Sequence, residues 1–321
     1  MSYNRKQRLN DNIKAIETAF ILDREQRTPT AHERLLLERY CGFGGLKCIL
    51  NPARELADAV HWAKSDLELF APTVELHRLI RENSKNESEY KQLMDSLKQS
   101  VLTAFYTPSA VTEALTDVLK EHQVIPEKVL EPSAGIGAFV DSVLDYNPKA
   151  DIMAFEKDLL TGKILRHLHP EQKVRIEGFE KIEKPFNDYF DLAISNIPFG
   201  DVAVFDPSYT AMKGMRALVT RRIHNYFFVK ALDTVRDGGL VAFITSQGVL
   251  NAKNNSAARF MMLYHADLVS AIRLPNNLFT ENANTEVGSD LIILQKNSQK
   301  ESLRGDDNLL DTVYNLSLIH I

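Results

Sequence analysis

Four consecutive residues, Asn196-Ile-Pro-Phe199, place hydrogen-bond acceptors and an aromatic ring directly after an apolar run. The side-chain oxygen of Asn196 and the backbone carbonyl of Ile197 could each accept a hydrogen from an exocyclic amine. Such acceptors draw a delocalised nitrogen towards the tetrahedral geometry that methyl transfer requires. Pro198 restricts Ile197 to an extended conformation, and Phe199 could stack on an extruded base. We therefore interpret the tetrad as a candidate site of amine methylation, the alternative being a surface turn.

A glycine-containing turn follows an earlier apolar run, in the sequence Glu131-Pro-Ser-Ala-Gly-Ile-Gly-Ala-Phe139. Gly135 and Gly137 lack a Cβ, so the chain can approach a ligand closely there. Glu156 ends the next apolar run, where a carboxylate can accept hydrogen bonds from ribose hydroxyls. A dinucleotide site would have glycine at position 140, but Val140 stands there, which argues against NAD.

The carboxylate that opens the glycine turn, Glu131, also bears on the ligand. It would repel the phosphates of a dinucleotide but would attract a cation. An adenosine compound with an ammonium and a sulfonium group meets both requirements, so S-adenosylmethionine is the cofactor that we expect. The alternative for the glycine motif is a tight turn without a ligand.

A local positive stretch stands on an acidic chain. The whole chain has 38 basic and 43 acidic residues, a net charge of −5, but residues 207–232 include basic residues and no acidic one. If a base enters at the tetrad, the phosphate backbone must pass nearby. We expect four residues to neutralise phosphates without reading sequence, the alternative being a solvated loop. They are Lys213, Arg216, Arg221 and Arg222.

Strand-like and helix-like segments alternate in the part of the chain that carries these motifs. Short apolar runs fall at 128–131, 152–155, 174–176, 191–195, 240–245, 268–272 and 291–294, and helical patterns fall at 110–122, 138–146, 159–167, 226–236 and 257–264. This alternation predicts a doubly wound, mostly parallel α/β sheet, which binds ligands at the carboxyl ends of its strands. Thr107 and Pro108 predict a helix start just before the first run, with Thr107 as N-cap and Pro108 as the first helical residue.

The first part of the chain reads as helical, with a glycine-rich interruption at Tyr40-Cys-Gly-Phe-Gly-Gly-Leu46. We therefore predict three parts: a helical N-terminal region over 1–103, the sheet domain over 104–300 and a C-terminal tail over 301–321. The tail ends in an apolar run, which we interpret as a truncation.

Composition excludes several classes of protein. Two cysteines are too few for a disulfide scaffold or a four-cysteine zinc site, and we expect no metal. No apolar stretch approaches the ~18 residues that span a bilayer. The N-terminus has no apolar run behind its basic residues, so we expect no secretory signal, no membrane partner and a cytoplasmic location.

The motifs and their order resemble the γ-class adenine-N6 DNA methyltransferases over roughly residues 100–296. Residues 104–108 resemble the motif that precedes the sheet and contacts the methionine part of the cofactor. Residues 131–139 resemble the glycine loop, Glu156 the ribose-binding acid and 196–199 the catalytic tetrad. The resemblance implies a seven-stranded Rossmann-like methyltransferase sheet. It implies that the cofactor contacts are Tyr106, Thr107, Pro108, Glu131, Pro132, Ala134, Gly135, Gly137, Phe139, Glu156, Lys157 and Phe179.

The resemblance implies methyl transfer from S-adenosylmethionine to the N6 amine of adenine in DNA, with base flipping. Asn196, Ile197, Pro198 and Phe199 would be the catalytic residues. Two alternatives stay open. A protein glutamine-N methyltransferase could use the same tetrad on an amide nitrogen, and a catalytically weak protein could serve as a DNA-binding or anti-restriction module.

Two departures from the family pattern affect these expectations. Ile197 stands where the family usually has proline, so the tetrad should be less rigid. Family members carry a target-recognition domain after the sheet, whereas this chain ends soon after its last apolar run. Sequence recognition would then come from residues 1–103, from a recognition domain or a helicase that this sequence lacks, or from a partner. The segment 40–46 looks like the large methylase–helicase proteins of bacterial mobile elements.

Overall fold

The computed structural model describes residues 4–103, 107–212, 214–276 and 288–302. Within these ranges the strands are β1 (Lys128–Glu131), β2 (Asp151–Phe155), β3 (Lys173–Arg175), β4 (Phe190–Asn196), β5 (Val235–Ser246), β6 (Ala266–Leu274) and β7 (Ser289–Lys296). The helices are α1 (Arg5–Glu25), α2 (Ala31–Glu38), α3 (Phe70–Glu82), α4 (Glu87–Thr103), α5 (Ser109–Glu121), α6 (Ala138–Tyr146), α7 (Leu159–Leu168), α8 (Pro207–Thr210), α9 (Met215–Val219), α10 (Ile223–Thr234), α11 (Gly248–Asn251) and α12 (Ser256–His265).

The strands form one seven-stranded sheet in the order β3-β2-β1-β4-β5-β7-β6. The pairs from β3 to β5 are parallel, and β7 runs antiparallel to both β5 and β6. The strand order reverses between β1 and β4, which is where open parallel sheets bind ligands. The prediction of a doubly wound, mostly parallel, seven-stranded sheet is confirmed.

Buried apolar side chains cover both faces of the sheet, as the apolar runs predict. Alternate residues of β1 belong to different clusters, Leu130 to the one beneath α10 and α12 and Val129 to the one beneath α5 and α6. In β4, Ala193 belongs to the first cluster and Ile194 to the second. The central strands are therefore held between two helical layers, and their carboxyl ends are fixed in position.

The N-terminal helices pack against α7 as well as against one another. Their buried cluster, which includes Ile16, Phe43 and Leu97, also contains Leu160 and Ile164 of α7. Tyr40 is 1% exposed, and its hydroxyl lies 3.3 Å from the hydroxyl of Thr161. The described residues of this region form helices α1 to α4, and their core is shared with the helix that follows β2. The boundary at residue 103 stays a prediction.

Several element boundaries differ from the predictions, and two of them have a clear physical reason. Helix α5 begins at Ser109, and Pro108 precedes it with extended backbone (φ −59°, ψ 141°) and no side-chain cap, so Thr107 is not the N-cap. Helix α10 ends at Thr234 rather than at 236, because Val235 is already extended and pairs with Phe190 of β4. Among the described residues, the helices are all too short or too polar to cross a bilayer.

Candidate active site

The glycine loop after β1 is tied to the acid at the end of β2. The backbone N–H of Gly135 donates a 2.8 Å hydrogen bond to Oε2 of Glu156, and the N–H of Asp158 donates a 2.7 Å bond to Oε1. Gly135 and Gly137 both have positive φ, 58° and 99°. A Cβ at position 137 would lie 2.4 Å from Nε2 of His169, so only glycine fits there. The backbone conformation of the loop is therefore restricted, and it keeps the loop close to the Glu156 carboxylate.

Glu131 is a buried carboxyl group without a partner. It is 1% exposed, and neither Oε atom accepts a hydrogen bond from the described residues. Burial raises the pKa of Glu131 to about 8, although the nearby Ser195 hydroxyl and Ser133 backbone N–H oppose the shift. Buried polar groups normally have partners, and one without a partner calls for an explanation such as a ligand. A positively charged ligand would favour the ionised carboxylate.

Glu156, the acidic residue that directly follows β2, is half-buried. Burial, and then the neighbouring Asp158 carboxyl, raise the pKa of Glu156 to about 8 against three backbone hydrogen bonds. Asp158 caps α7 by accepting from the N–H of Thr161 at 2.7 Å, and it also accepts from the Ser96 hydroxyl at 2.7 Å. A carboxylate has about four acceptor positions, so Glu156 retains capacity for a ribose hydroxyl.

The tetrad begins on the last residue of β4. Val129 pairs with Leu192, so Asn196 stands two residues further along its strand than the level of Glu131. Glu131 and Asn196 are each an even number of residues from this pair, which puts them on the same face of the sheet. Asn196 is half-buried.

The rest of the tetrad is anchored to the sheet. The Ile197 N–H donates a 3.0 Å hydrogen bond to the carbonyl of Ile244 in β5, and the Ile197 side chain is 1% exposed. Pro198 is half-buried, and Phe199 packs, half-buried, against the same apolar cluster as Ala134 of the glycine loop. The buried side chain and this hydrogen bond fix Ile197 against β5.

The residues before α5 lie beside the glycine loop. Thr107 and Ser109 line one wall of a pocket of about 200 Å³, and Ile136 lines another. Pro108 lies between the two wall residues and is half-buried. Tyr106 lies outside the described residues, so its predicted contact stays a prediction.

The remaining predicted cofactor residues differ in exposure. Lys157 is exposed, with its Nζ 3.6 Å from Glu180. Pro132 and Phe139 are buried. Phe179 is 1% exposed, and its ring lies 5.8 Å from that of Phe155, centroid to centroid. Phe179 therefore packs in the apolar cluster beneath α10 and α12, and its predicted contact with the cofactor stays a prediction.

The predicted phosphate-binding residues have different environments. Arg216 forms two hydrogen bonds to Asp233, at 2.6 and 2.9 Å, and Arg222 pairs with Asp201 at 2.9 Å. Arg221 is exposed. Lys213 lies outside the described residues. Arg216 is thus held by an acid that follows it by 17 positions in sequence, which no local pattern could indicate.

Sequence reasoning also missed Ser96. Its hydroxyl is buried, donates to Asp158 and accepts the Leu160 N–H at 3.0 Å. It is 62 residues from Asp158 and carries no motif, so only the fold brings the two together. The described part of the chain contains no group of three His, Cys, Asp or Glu side chains suited to a metal ion.

The strand order, the glycine loop beside β1 and the acid at the end of β2 define a methyltransferase of the class that uses S-adenosylmethionine. Residues 88–315 match the model of the family described as N-6 DNA Methylase, and the chain belongs to that family. Its cofactor is S-adenosylmethionine, which fits the unpartnered Glu131 and the remaining acceptor capacity of Glu156.

Two curated relatives support the assignment. The chain is 29% identical over 201 residues to Defense against restriction protein B of Escherichia phage P1, covering 61% of this chain and 8% of that protein. It is 25% identical over 173 residues to Type II methyltransferase M.XamI of Xanthomonas campestris pv. amaranthicola, covering 50% of this chain and 33% of that protein. The chain thus spans a third or less of the length of each.

Solved structures share the fold. A class I S-adenosylmethionine-dependent methyltransferase from Listeria monocytogenes aligns with a TM-score of 0.53 at 15% identity, over 94% of this chain and 91% of that one. A modification subunit of a type I restriction enzyme from Vibrio vulnificus YJ016 aligns with a TM-score of 0.51 at 16% identity, over 72% and 53%.

Proposed function

We propose that this chain transfers a methyl group from S-adenosylmethionine to the N6 amine of adenine in DNA, after the base has left the duplex. The observation that carries the proposal is the placement of Asn196 on the same sheet face as Glu131, one strand away. The matching family, N-6 DNA methylases, favours an exocyclic amine of DNA as the acceptor.

The cofactor would be held by the turns after β1 and β2. Glu131 would face its cationic part, Glu156 would accept hydrogen bonds from ribose hydroxyls, and Gly135 and Gly137 would allow close approach. When bound, S-adenosylmethionine supplies a methyl group on a positively charged sulfur. Thr107, which lines a pocket together with Ile136, would contact its methionine part.

The tetrad would hold and orient the target base. The Asn196 side-chain oxygen and the Ile197 carbonyl would accept the two hydrogens of the amine, which favours tetrahedral geometry at the nitrogen. The hydrogen bond from Ile197 to Ile244 keeps that carbonyl in a fixed place. Phe199 would stack on the base, and the proton released from the amine would pass to water. Placement of the nitrogen in line with the methyl group would supply much of the rate enhancement.

DNA binding would use the stretch after the tetrad together with parts of a larger assembly. Exposed Arg221 and half-buried Arg222 would contact phosphates. The curated relatives extend well beyond their match to this chain. We propose that a recognition domain or a helicase partner supplies sequence selectivity.

The test is methyl transfer from tritiated S-adenosylmethionine to mixed-sequence DNA, with the product nucleoside identified by mass spectrometry. The wild type should yield N6-methyladenine. Asn196→Ala should abolish incorporation and keep cofactor binding, whereas Asn187→Ala, exposed in the turn before β4, should behave like the wild type. Incorporation into protein alone would instead identify a glutamine-N methyltransferase.

A second candidate is a DNA-binding module with weak or no turnover. It is favoured by the similarity to a phage protein named for defence against restriction. Cofactor binding and DNA binding without incorporation into any DNA would identify it.

A further inference from the structure

The segment between the tetrad and α10 exposes several large apolar side chains. Phe205 is 79% exposed and Val202 is 58% exposed, and three more follow within the next residues, Met212, Met215 and Leu218. Single exposed apolar residues are common, but five within residues 202–218 make this segment a candidate interaction surface. This segment follows the tetrad directly in the sequence.

The backbone around Phe205 is held on both sides. The Val204 N–H donates a 2.8 Å hydrogen bond to the Thr220 carbonyl. Asp206 is 3% exposed and accepts hydrogen bonds from the Tyr226 hydroxyl at 2.7 Å and from Lys230 at 3.2 Å. Phe205 is therefore presented to solvent by a fixed backbone, so little entropy would be lost when its ring enters a partner.

The charge around the ring suits a polyanion. Residues 202–222 contain four basic residues and one acidic residue, Asp206, which is buried. Asp201, just before them, is paired with Arg222. The bond between Val204 and Thr220 places the backbone of Phe205 near that of the exposed Arg221. An exposed apolar ring in a basic segment fits the stacked bases and flanking phosphates of DNA better than it fits another acidic copy of this chain.

We propose that Phe205 is an apolar wedge that enters the base stack of duplex DNA where the target base leaves. This inference rests on the proposed function. Phe199 packs against the sheet and would stack on the extruded base, whereas Phe205 stands free of the core and would fill the gap left behind. In other DNA-binding proteins, apolar side chains insert between base steps and partly unstack them.

The test compares methylation of duplex DNA with methylation of the same DNA in which target adenines are unpaired, either single-stranded or mismatched. A wedge assists only the extrusion step, and an unpaired base is already largely free of that cost. Phe205→Ala should therefore methylate duplex DNA about tenfold or more slowly than the wild type, because it lacks part of the free energy that offsets extrusion of the base. Its rate on unpaired DNA should stay near that of the wild type. Phe205→Met, which keeps an apolar chain, should retain most of the duplex rate.

The control is Leu56→Ala, an equally exposed apolar residue of the N-terminal region, which should match the wild type on both substrates. Equal loss on duplex and unpaired DNA, or no loss on either, would overturn the wedge. If Phe205→Ala changed only the sedimentation of the protein, the surface would bind a second copy of this chain, and the wedge proposal would be overturned as well. A wild type that methylates no DNA would instead defeat the proposed function.

Discussion

The Ser96 hydroxyl of α4 donates a 2.7 Å hydrogen bond to the Asp158 carboxylate, two residues after the acid that we expect to bind ribose. The same oxygen accepts the Leu160 N–H at 3.0 Å. One side chain from the N-terminal helices thus bonds both to the cap and to the first turn of α7. The turn that carries Glu156 is braced from outside the sheet.

Ser96→Ala should lower both thermal stability and cofactor affinity. A buried hydrogen bond to a charged group contributes about 1.5–3 kcal/mol, and its loss leaves Asp158 with one partner fewer. Unfolding with and without S-adenosylmethionine measures both effects. Ser88→Ala, exposed on the same helix, should be close to neutral. Equal effects of the two variants would contradict the bracing role.

Gly137→Ala should weaken cofactor binding strongly. The new Cβ would meet Nε2 of His169 at 2.4 Å in a left-handed backbone conformation, so the loop must move. Gly214→Ala is a matched control, because φ is +94° there but open space surrounds the position. Titration calorimetry should give weaker binding for the first variant and wild-type affinity for the second. Similar affinities in both would rule out steric closure of the loop.

The stability of the cofactor-free protein should depend on pH through Glu131. Burial raises its pKa from 4.5 to about 8, so the folded state holds a proton that the unfolded state has released. Its contribution to stability is full below pH 4.5 and is lost as the pH rises through 8. In Glu131→Gln the unfolding midpoint should change less with pH across this window. Glu127→Gln, exposed just before β1, serves as the control. If the midpoint of Glu131→Gln varied with pH as much as that of the wild type, the Glu131 carboxyl would not be the source of the pH dependence.

Arg221→Gln and Arg216→Gln should separate DNA contact from structural support. Removal of one phosphate contact should reduce the slope of log affinity against log salt by about 1 for Arg221→Gln. Arg216 is held by Asp233, so its variant should mainly lower thermal stability. DNA binding over a salt series, with unfolding midpoints, distinguishes the two. A reduced salt slope in Arg216→Gln alone would reverse the assignment.

Ile197→Pro, which restores the residue usual in the family, should not improve activity. It removes the N–H that bonds to Ile244 and leaves space where a buried side chain packs. We expect a loss of about 1–3 kcal/mol of stability, measured by denaturant unfolding. Ile197→Val keeps the N–H and should lose less. A faster and equally stable Ile197→Pro protein would disprove the anchoring role.

The sequence allowed the sheet to be predicted, because buried parallel strands are short apolar runs that alternate with amphipathic helices. Glu131, Glu156 and Asn196 could be placed together for the same reason, since Glu131 and Asn196 end their strands, Glu156 directly follows β2, and those ends share one edge. Their roles in binding and catalysis stay predictions.

Partnerships between distant segments could not be predicted from local patterns. Asp233 pairs with Arg216, and Ser96 pairs with Asp158, only because the chain folds back. The start of α5 was also wrong by one residue. A Thr-Pro pair fits either a cap or the extended residues before a helix, and the latter is found here.

The core that the N-terminal helices share with α7 also receives Ile136, the residue between the two glycines of the loop. A chimaera that joined this sheet to a foreign N-terminus would leave Ile136, Leu160 and Ile164 facing mismatched neighbours. A recombinant protein that keeps its function should therefore retain residues 4–103 of this chain together with the sheet.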